Sequence, residues 1–191
     1  MQLNPHFLFN ALNAVTTLVH TNPKAADDML GDLGQLLLAS LDSADEPEVT
    51  LRRELEFLGR HLEVERTRFE DHLQVDQAIE PDTLDAIVPT FILQPLVENA
   101  VRHGIEPQTT VGIITLSASR QGDRLRLTIS DTGVGLDESI EEGVGLTNTR
   151  ARLQQLYGDQ HNLTINSIAQ SGCIVNLDIP FHLTPTTQPS S

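Results

Sequence analysis

Tryptophan is absent, tyrosine occurs once and phenylalanine six times in 191 residues, so the core of this chain has to be mainly aliphatic. Basic residues are also scarce: twelve Lys and Arg against 27 Asp and Glu give a formal charge of -15. That balance repels nucleic acid and anionic membrane surfaces, and it excludes functions that rest on either. An anionic ligand would have to be held locally, by a cation, a few basic side chains or backbone amides. The single cysteine, Cys173, leaves no internal disulfide and suits a reducing cytoplasm; in its strand-like run it reads as a small buried hydrophobe. No apolar run approaches the roughly 18 residues of a membrane span, so no membrane contact is expected of this segment, and no signal peptide is visible. The chain opens inside what already reads as helix, as a piece of a longer protein would. What is present, 39% hydrophobic residues, suits one sizeable domain or two small ones with real cores.

The first half has helical periodicity. A helix is expected over 3–20, with Leu8, Leu12, Val15 and Val19 as its apolar stripe and His6, Asn10, Asn13 and Thr17 on a polar one. Asn22-Pro23 ends it, and a second helix runs over 24–41. Such a hairpin must bury its apolar face, and a second copy in a four-helix bundle is the economical solution. A third helix is expected over 51–69, with the charge run over 63–68 as a solvated face. After Asp71 the period changes to two. Strands are expected over 73–79, 111–119, 124–131, 163–167 and 173–179, with helices over 90–104 and 146–157 and a turn at Gly122-Asp123.

Three stretches of the second half carry chemistry. On the helix over 90–104, Asn99 and His103 sit at i and i+4 with Arg102 beside them; an amide oxygen ligates a hard cation without adding charge. In Asp131-Thr132-Gly133-Val134-Gly135-Leu136, a carboxylate ends a strand and enters a glycine turn, where it can accept a hydrogen bond from an exocyclic amine. In Glu142-Gly143-Val144-Gly145-Leu146-Thr147, glycines run into a helix and aim free backbone amides at an anion. Singly, each also reads as an ordinary helix face, strand-end turn or loop. A lone histidine such as His6 reads as a surface residue.

In this order the three stretches resemble the N, D and G boxes of the Bergerat-type ATPases, shared by gyrase, MutL, heat-shock chaperone ATPases and histidine kinases. The opening Asn4-Pro5-His6-Phe7-Leu8-Phe9-Asn10 and the later Leu93-Gln94-Pro95-Leu96-Val97-Glu98-Asn99-Ala100 are similar to the H and N boxes of LytS/YehU-type sensor histidine kinases. The resemblance spans Leu3 to about Phe181. It implies an α+β chain: a helical dimerisation hairpin with the phosphoacceptor over 1–72, a Bergerat-type α/β sandwich with a mixed sheet packed on helices over 73–183, and a disordered tail over 184–191. It further implies ATP and Mg2+ as ligands, with His6 the phosphoacceptor, Asn99 the magnesium ligand, Asp131 the adenine reader and Arg102 and His103 near the phosphates. Gly133, Gly135, Gly143 and Gly145 would form the nucleotide-enclosing turns, with Leu146 and Thr147 following at the helix start and 137–142 as the lid. The implied protein is the cytoplasmic segment of a membrane-anchored sensor. It would be a homodimeric autokinase that passes its phosphoryl group to a response regulator of the LytTR type.

Two departures from the pattern carry weight. Pro95 stands where the gyrase-like ATPases have a water-activating carboxylate, which predicts poor hydrolysis. Phe7 stands where many histidine kinases have an acid after the phosphoacceptor, which leaves the proton acceptor unassigned. Two rival readings use the same residues: an ATP-sensing dimeric module without phosphotransfer, and a dimeric aspartic protease built on Asp131-Thr132-Gly133. The protease leaves the Asn99 helix and the later glycines without a role.

Overall fold

The computed structural model describes residues 5–42, 46–69, 72–107, 110–135, 144–168 and 172–185; within these ranges the side chains of residues 5, 6, 39–42, 103, 144 and 168 lie outside the description. The expected lid over 137–142, Gly143 and tail residues 186–191 fall outside the described residues.

The first two helices, α1 (Pro5–Thr21) and α2 (Pro23–Asp42), are separated by Asn22 alone. Its Oδ1 accepts the Ala25 N–H at 3.2 Å, capping α2, while Pro23 occupies the first helical position, where no N–H is needed. The buried stripe of α1 keeps Val15 and the half-buried Leu8 of the expected one but not Leu12 and Val19. Phe7, Ala11 and Val15 face inward against Ala26, Met29, Leu33 and Leu36 of α2, and Val64 closes the cluster from α3 (Leu51–Phe69). Leu12 and Val19 are about half exposed, at 52% and 48%. Helix α1 is apolar on two faces, and one-helix periodicity does not say which of them meets α2 and Val64 and which stays open.

Helix α3 belongs to both halves. Leu51, Leu58 and Leu62 pack into the main core with the sheet, while Val64 packs on the hairpin. Three-residue strands hold its entry: β1 (Glu48–Thr50) pairs antiparallel with β3 (Ile87–Pro89), with β2 (Leu73–Ile79) between them in the chain. The remaining strands are β4 (Gly112–Gln121), β5 (Arg124–Asp131), β6 (Asn162–Ile168) and β7 (Gly172–Pro180). They form with β2 a five-stranded mixed sheet in the order β2-β4-β5-β7-β6, in which only the β2–β4 pair is parallel. Helices α3, α4 (Leu93–Asn99) and α5 (Val144–Tyr157) bury its inner face.

The helix expected over 90–104 starts later and changes type. Phe91 adopts a left-handed conformation with φ 58°, α4 begins at Leu93, and from Ala100 to Ile105 the chain winds as a π-helix, closed by the Glu106 N–H on Val101 O at 2.8 Å. Pro95 falls in the first turn of α4, where it is tolerated. The amino end of α4 is capped by a distant side chain: buried Glu54 of α3 accepts the N–H groups of Phe91 at 2.7 Å and Leu93 at 2.8 Å.

That cap makes the fold sensitive to pH. Burial pushes the Glu54 carboxyl up to about 7 from 4.5, against the two backbone N–H groups and Arg152, which favour the charged form. The unfolded chain releases this proton near 4.5 and the folded chain near 7, so the contribution is full below the lower value and is lost as pH rises through the upper one. The difference is on the order of 3 kcal/mol. A Glu54→Gln chain has no proton to release and should lose less Tm than the wild type between about pH 5 and about pH 8. Equal losses would contradict the assignment.

Candidate functional site

Strand parity places the carboxylate. Leu125, Leu127 and Ile129 of β5 point into the core, and Asp131, two residues further, continues that face and is only 6% exposed. Burial raises its pKa, while the N–H groups of Gly133 and Cys173 favour the charged form. The Gly133 N–H donates to Oδ1 at 2.8 Å. Three glycines wrap the group. A Cβ on Gly104 would lie 2.5 Å from Asp131 Oδ1, one on Gly133 would lie 2.2 Å from Gly104 Cα, and one on Gly172 would lie 1.9 Å from Asp131 O. Thr132 locks the turn to the next strand, accepting the Ile113 N–H at 3.0 Å on its hydroxyl and donating its own N–H to Ile113 O at 3.0 Å. Gly135 follows with φ 82°.

Gly104 and Asn99 lie on one continuous helical stretch, roughly 6–7 Å apart along its axis. The carboxylate and the amide therefore mark two ends of one seam. Asn99 is the last α-helical residue; its side-chain Nδ2 is buried and has no hydrogen-bond partner. The expected i, i+4 alignment of Asn99 with His103 assumed an α-helix, and the π turn beginning at Ala100 alters that spacing. The His103 side chain lies outside the described residues, and Arg102 is exposed. Among the described residues no group of three or more His, Cys, Asp and Glu could hold a metal ion. A cation at Asn99 would then take one amide oxygen from the protein and its other ligands from the nucleotide and water, a donor set that fits magnesium.

Helix α5 begins beside α4. A Cβ on Gly145 would stand 3.5 Å from Pro95 Cβ, Gly145 O accepts the Thr149 hydroxyl at 2.9 Å, Leu146 is half-buried on the main core and Thr147 is exposed. The amino end of α5 thus lies against the helix that carries Asn99.

The start of α1 reaches the same seam. A small cavity of about 40 Å³, room for about three water molecules, is lined by Phe7 and Asn10 of α1, Glu65 and Arg68 of α3, and Asn99 and Arg102. His6 precedes Phe7 directly; its own side chain lies outside the described residues. Under Phe7 lies His61, fully buried, with ring centroids 4.2 Å apart and planes inclined by 32°. Neither His61 nitrogen has a hydrogen bond; Nε2 stands 4.0 Å from Glu65 Oε1 and 3.9 Å from Glu98 Oε1. Burial, with the Arg68 charge nearby, pushes this imidazole down to about 3, so it is neutral.

The charge run over 63–68 is accordingly not all solvated. Glu63 and Arg66 pair at the surface at 2.7 Å, whereas Glu65 is buried, its carboxyl pushed up to about 7 by burial and partly restrained by Arg68, whose Nε lies 3.0 Å from Oε2. That contact is an ion pair without hydrogen-bond alignment, since Oε2 has no aligned donor. The burial of His61 and Glu65 and the closeness of Gly104 and Gly172 to Asp131 are not expected from the sequence. The signal available for the first two was their i, i+4 spacing in line with Leu58 and Leu62 on the apolar side of α3.

The family described as "Histidine kinase" matches residues 1–73, and the family described as "Histidine kinase-, DNA gyrase B-, and HSP90-like ATPase" matches residues 85–183. Sensor histidine kinase YpdA of Escherichia coli is 34% identical over 168 residues, covering 83% of this chain and 30% of that protein. Sensor histidine kinase BtsS of Escherichia coli is 33% identical over 182 residues, covering 94% and 32%, and sensor protein LytS of Oceanobacillus iheyensis is 31% identical over 195 residues, covering 94% and 33%. The chain spans about a third of the length of these relatives. Among solved structures, the histidine kinase domain of a blue-light activated kinase from Erythrobacter litoralis superposes with a TM-score of 0.56 at 20% identity, covering 86% of this chain and 80% of that one. Histidine kinase AdeS of Acinetobacter baumannii superposes with a TM-score of 0.57 at 17% identity, covering 94% and 86%. The helical hairpin, the mixed sheet on its helices and the matches over both halves agree, and the chain belongs to the LytS-type sensor histidine kinases, with a Bergerat-type ATPase domain.

Proposed function

We propose that this chain is the autokinase portion of a two-component sensor: it binds Mg-ATP between α4, β5 and α5 and transfers the γ-phosphoryl group to His6. The observation that carries this reading is the seam itself. Asp131 in its glycine cradle marks one end, the buried amide of Asn99 marks the other, and the start of α1 lies at the Asn99 end.

Each group has a task. Asp131 accepts the exocyclic amine of adenine, and Gly104, Gly133 and Gly172 admit that carboxylate and its turn without steric conflict. Asn99 ligates the magnesium, which when bound neutralises phosphate charge. Arg102, and with it His103, balances the phosphates. Gly135, Gly143 and Gly145 shape the enclosing turns, and the amino end of α5 with Leu146 and Thr147 presents backbone amides to them. The imidazole of His6 supplies a lone pair to phosphorus; the N–P bond forms as the bridging P–O bond breaks, ADP keeps that electron pair, and the other ring N–H releases its proton to water. Imidazole suits the role because its neutral, nucleophilic form is abundant near neutral pH.

The proposal extends to partners. The hairpin exposes Phe9 at 64%, Leu12, Val19, Leu30, Leu37 and Leu38 at 62%, a face that a second copy of the chain would cover. Among the described residues no helix is long and apolar enough to cross a membrane, and the proposed role is cytoplasmic, joined to a membrane-anchored sensor. A response-regulator aspartate, of the LytTR type, would receive the phosphoryl group.

The test is incubation of the chain with Mg-ATP. Acid-labile, alkali-stable phosphate should accumulate on the wild type and be absent from His6→Ala. ATP binding that depends on Asp131, with no phosphate on any histidine, would instead favour the nucleotide-sensing module.

A further inference from the structure

We propose that the Phe7–His61 contact docks the phosphoacceptor helix on the ATP-binding half of its own chain, so that His6 is phosphorylated in cis and His61 acts as a positioning residue. The inference rests on the autokinase reading above.

The contact joins distant parts of one chain. Phe7 follows His6 directly on α1, and its ring lies on that of His61 at 4.2 Å. The edge of the same imidazole faces Glu98, 3.9 Å away, which precedes Asn99. A line of residues therefore runs from the phosphoacceptor position through Phe7, His61 and Glu98 to the amide assigned to the metal. Phe7 and Asn10 also line a cavity together with Asn99 and Arg102, so the helix bearing His6 already stands at the approach to its own chain's site. A partner's helix would have to displace it before reaching that place.

The docked and the exposed residues of α1 are different ones. The residues of α1 that dock inward are Phe7, Ala11 and Val15; the large apolar ones left exposed are Phe9, Leu12 and Val19. On a helix, Phe7 and Phe9 stand about 200° apart, so Phe7 can dock in cis while Phe9 faces a second copy. His61 itself is an unusual choice for a core position. A ring with neither nitrogen hydrogen-bonded costs more to bury than a hydrocarbon of the same size. A place between the Phe7 ring and two carboxyl groups suits a flat, neutral ring with a polar edge.

Subunit exchange tests the assignment. His6→Ala chains, which keep the ATP site, are mixed with tagged Asp131→Asn chains, which keep His6, and the tagged chain is assayed for phosphohistidine. In cis transfer the tagged chain stays below about a twentieth of the wild-type label. Label on it approaching half the wild-type value would overturn the cis assignment alone, whereas an unlabelled wild type would overturn the autokinase reading with it. For His61, the Ala variant should lower the autophosphorylation rate at least about tenfold, with KM for ATP within about twofold, and His61→Phe, which keeps the stacked ring, should restore most of the rate. An unchanged or raised rate in His61→Ala, or a loss confined to ATP binding, would overturn the positioning role.

Discussion

Asp131→Asn will weaken ATP binding about a hundredfold while leaving the fold intact. The substitution keeps the volume of a buried side chain and an oxygen for the Gly133 N–H, so the turn retains its hydrogen bond of 2.8 Å. What it removes is the second acceptor, because an amide NH₂ would then face the adenine amine, donor to donor. Losing a charge-assisted hydrogen bond and leaving a donor unpaired costs roughly 3 kcal/mol, and each 1.4 kcal/mol is a factor of ten in affinity. Calorimetric titration with a non-hydrolysable ATP analogue reads the affinity, and Tm reads the fold. Affinity within about threefold of the wild type would mean that this carboxylate does not read the base.

The largest loss of stability is expected from Gly172→Ala. Gly172 has φ 99°, a conformation that a β-carbon disfavours by roughly 1 kcal/mol or more, and the added atom would lie 1.9 Å from Asp131 O, 2.7 Å from its carbonyl carbon and 2.8 Å from Gly133 N. All three are backbone atoms, so no rotamer change relieves the overlap; β7 must move off the end of β5. We expect a loss of about 4 kcal/mol, or about 8–16 °C in Tm for a chain of this size, with ATP binding lost alongside because the cradle of Asp131 opens. Gly122→Ala is the comparison. Its φ is 63°, but an added Cβ meets nothing within 4 Å, so only the backbone cost of about 1 kcal/mol should appear. Equal losses at the two glycines would show that the contact with Asp131 is unimportant.

Much of this arrangement is legible in the amino-acid sequence alone, and the reasons are physical. Sustained periods identify α3 over Leu51–Phe69, β2 over Leu73–Ile79 and β5 over Arg124–Asp131 with their observed bounds; α3 and β5 bury a face along their length, and β2 keeps Leu73, Val75 and Ile79 on one side. The order of the Asn99, Asp131 and Gly143–Gly145 stretches identifies the ATPase half because three weak signals in sequence are jointly specific. What is not legible is set by contacts between distant segments. The strands β1 and β3 have three residues each, too few for a period. The π turn after Asn99 brings Gly104 close against Asp131, a partner 27 residues later, and nothing local to Ala100–Ile105 announces it. His61 and Glu65 look like ordinary polar residues of a charged helix; only the arrival of Phe7 and Glu98 makes them a buried cluster. The partly displaced stripe on α1 has the same origin, since the choice between its two apolar faces is made by α2, with Val64 of α3.

The same contrast separates the parts of the mechanism. The residues proposed to bind nucleotide, Asp131 and Asn99, sit on the sheet and on a helix packed against it, where strand parity and glycine clearances dictate their placement. The proposed delivery of His6 depends instead on how α1 docks, which is a property of the packed chain. An autokinase without the water-activating carboxylate, with Pro95 in its place, should also turn over ATP slowly once His6 is phosphorylated. That is a burst of about one ADP per site followed by little hydrolysis, readable by a coupled ADP assay.

The most direct test of the central claim is peptide mapping of the phosphate by mass spectrometry after incubation with Mg-ATP, carried out at neutral pH so that phosphohistidine survives. Phosphate is expected on the peptide containing His6, at His6, and at less than about a twentieth of that level in the Asn99→Ala or Asp131→Asn chains. Phosphate on another histidine, or ATP bound at the Asp131 site with His6 unmodified, would contradict it.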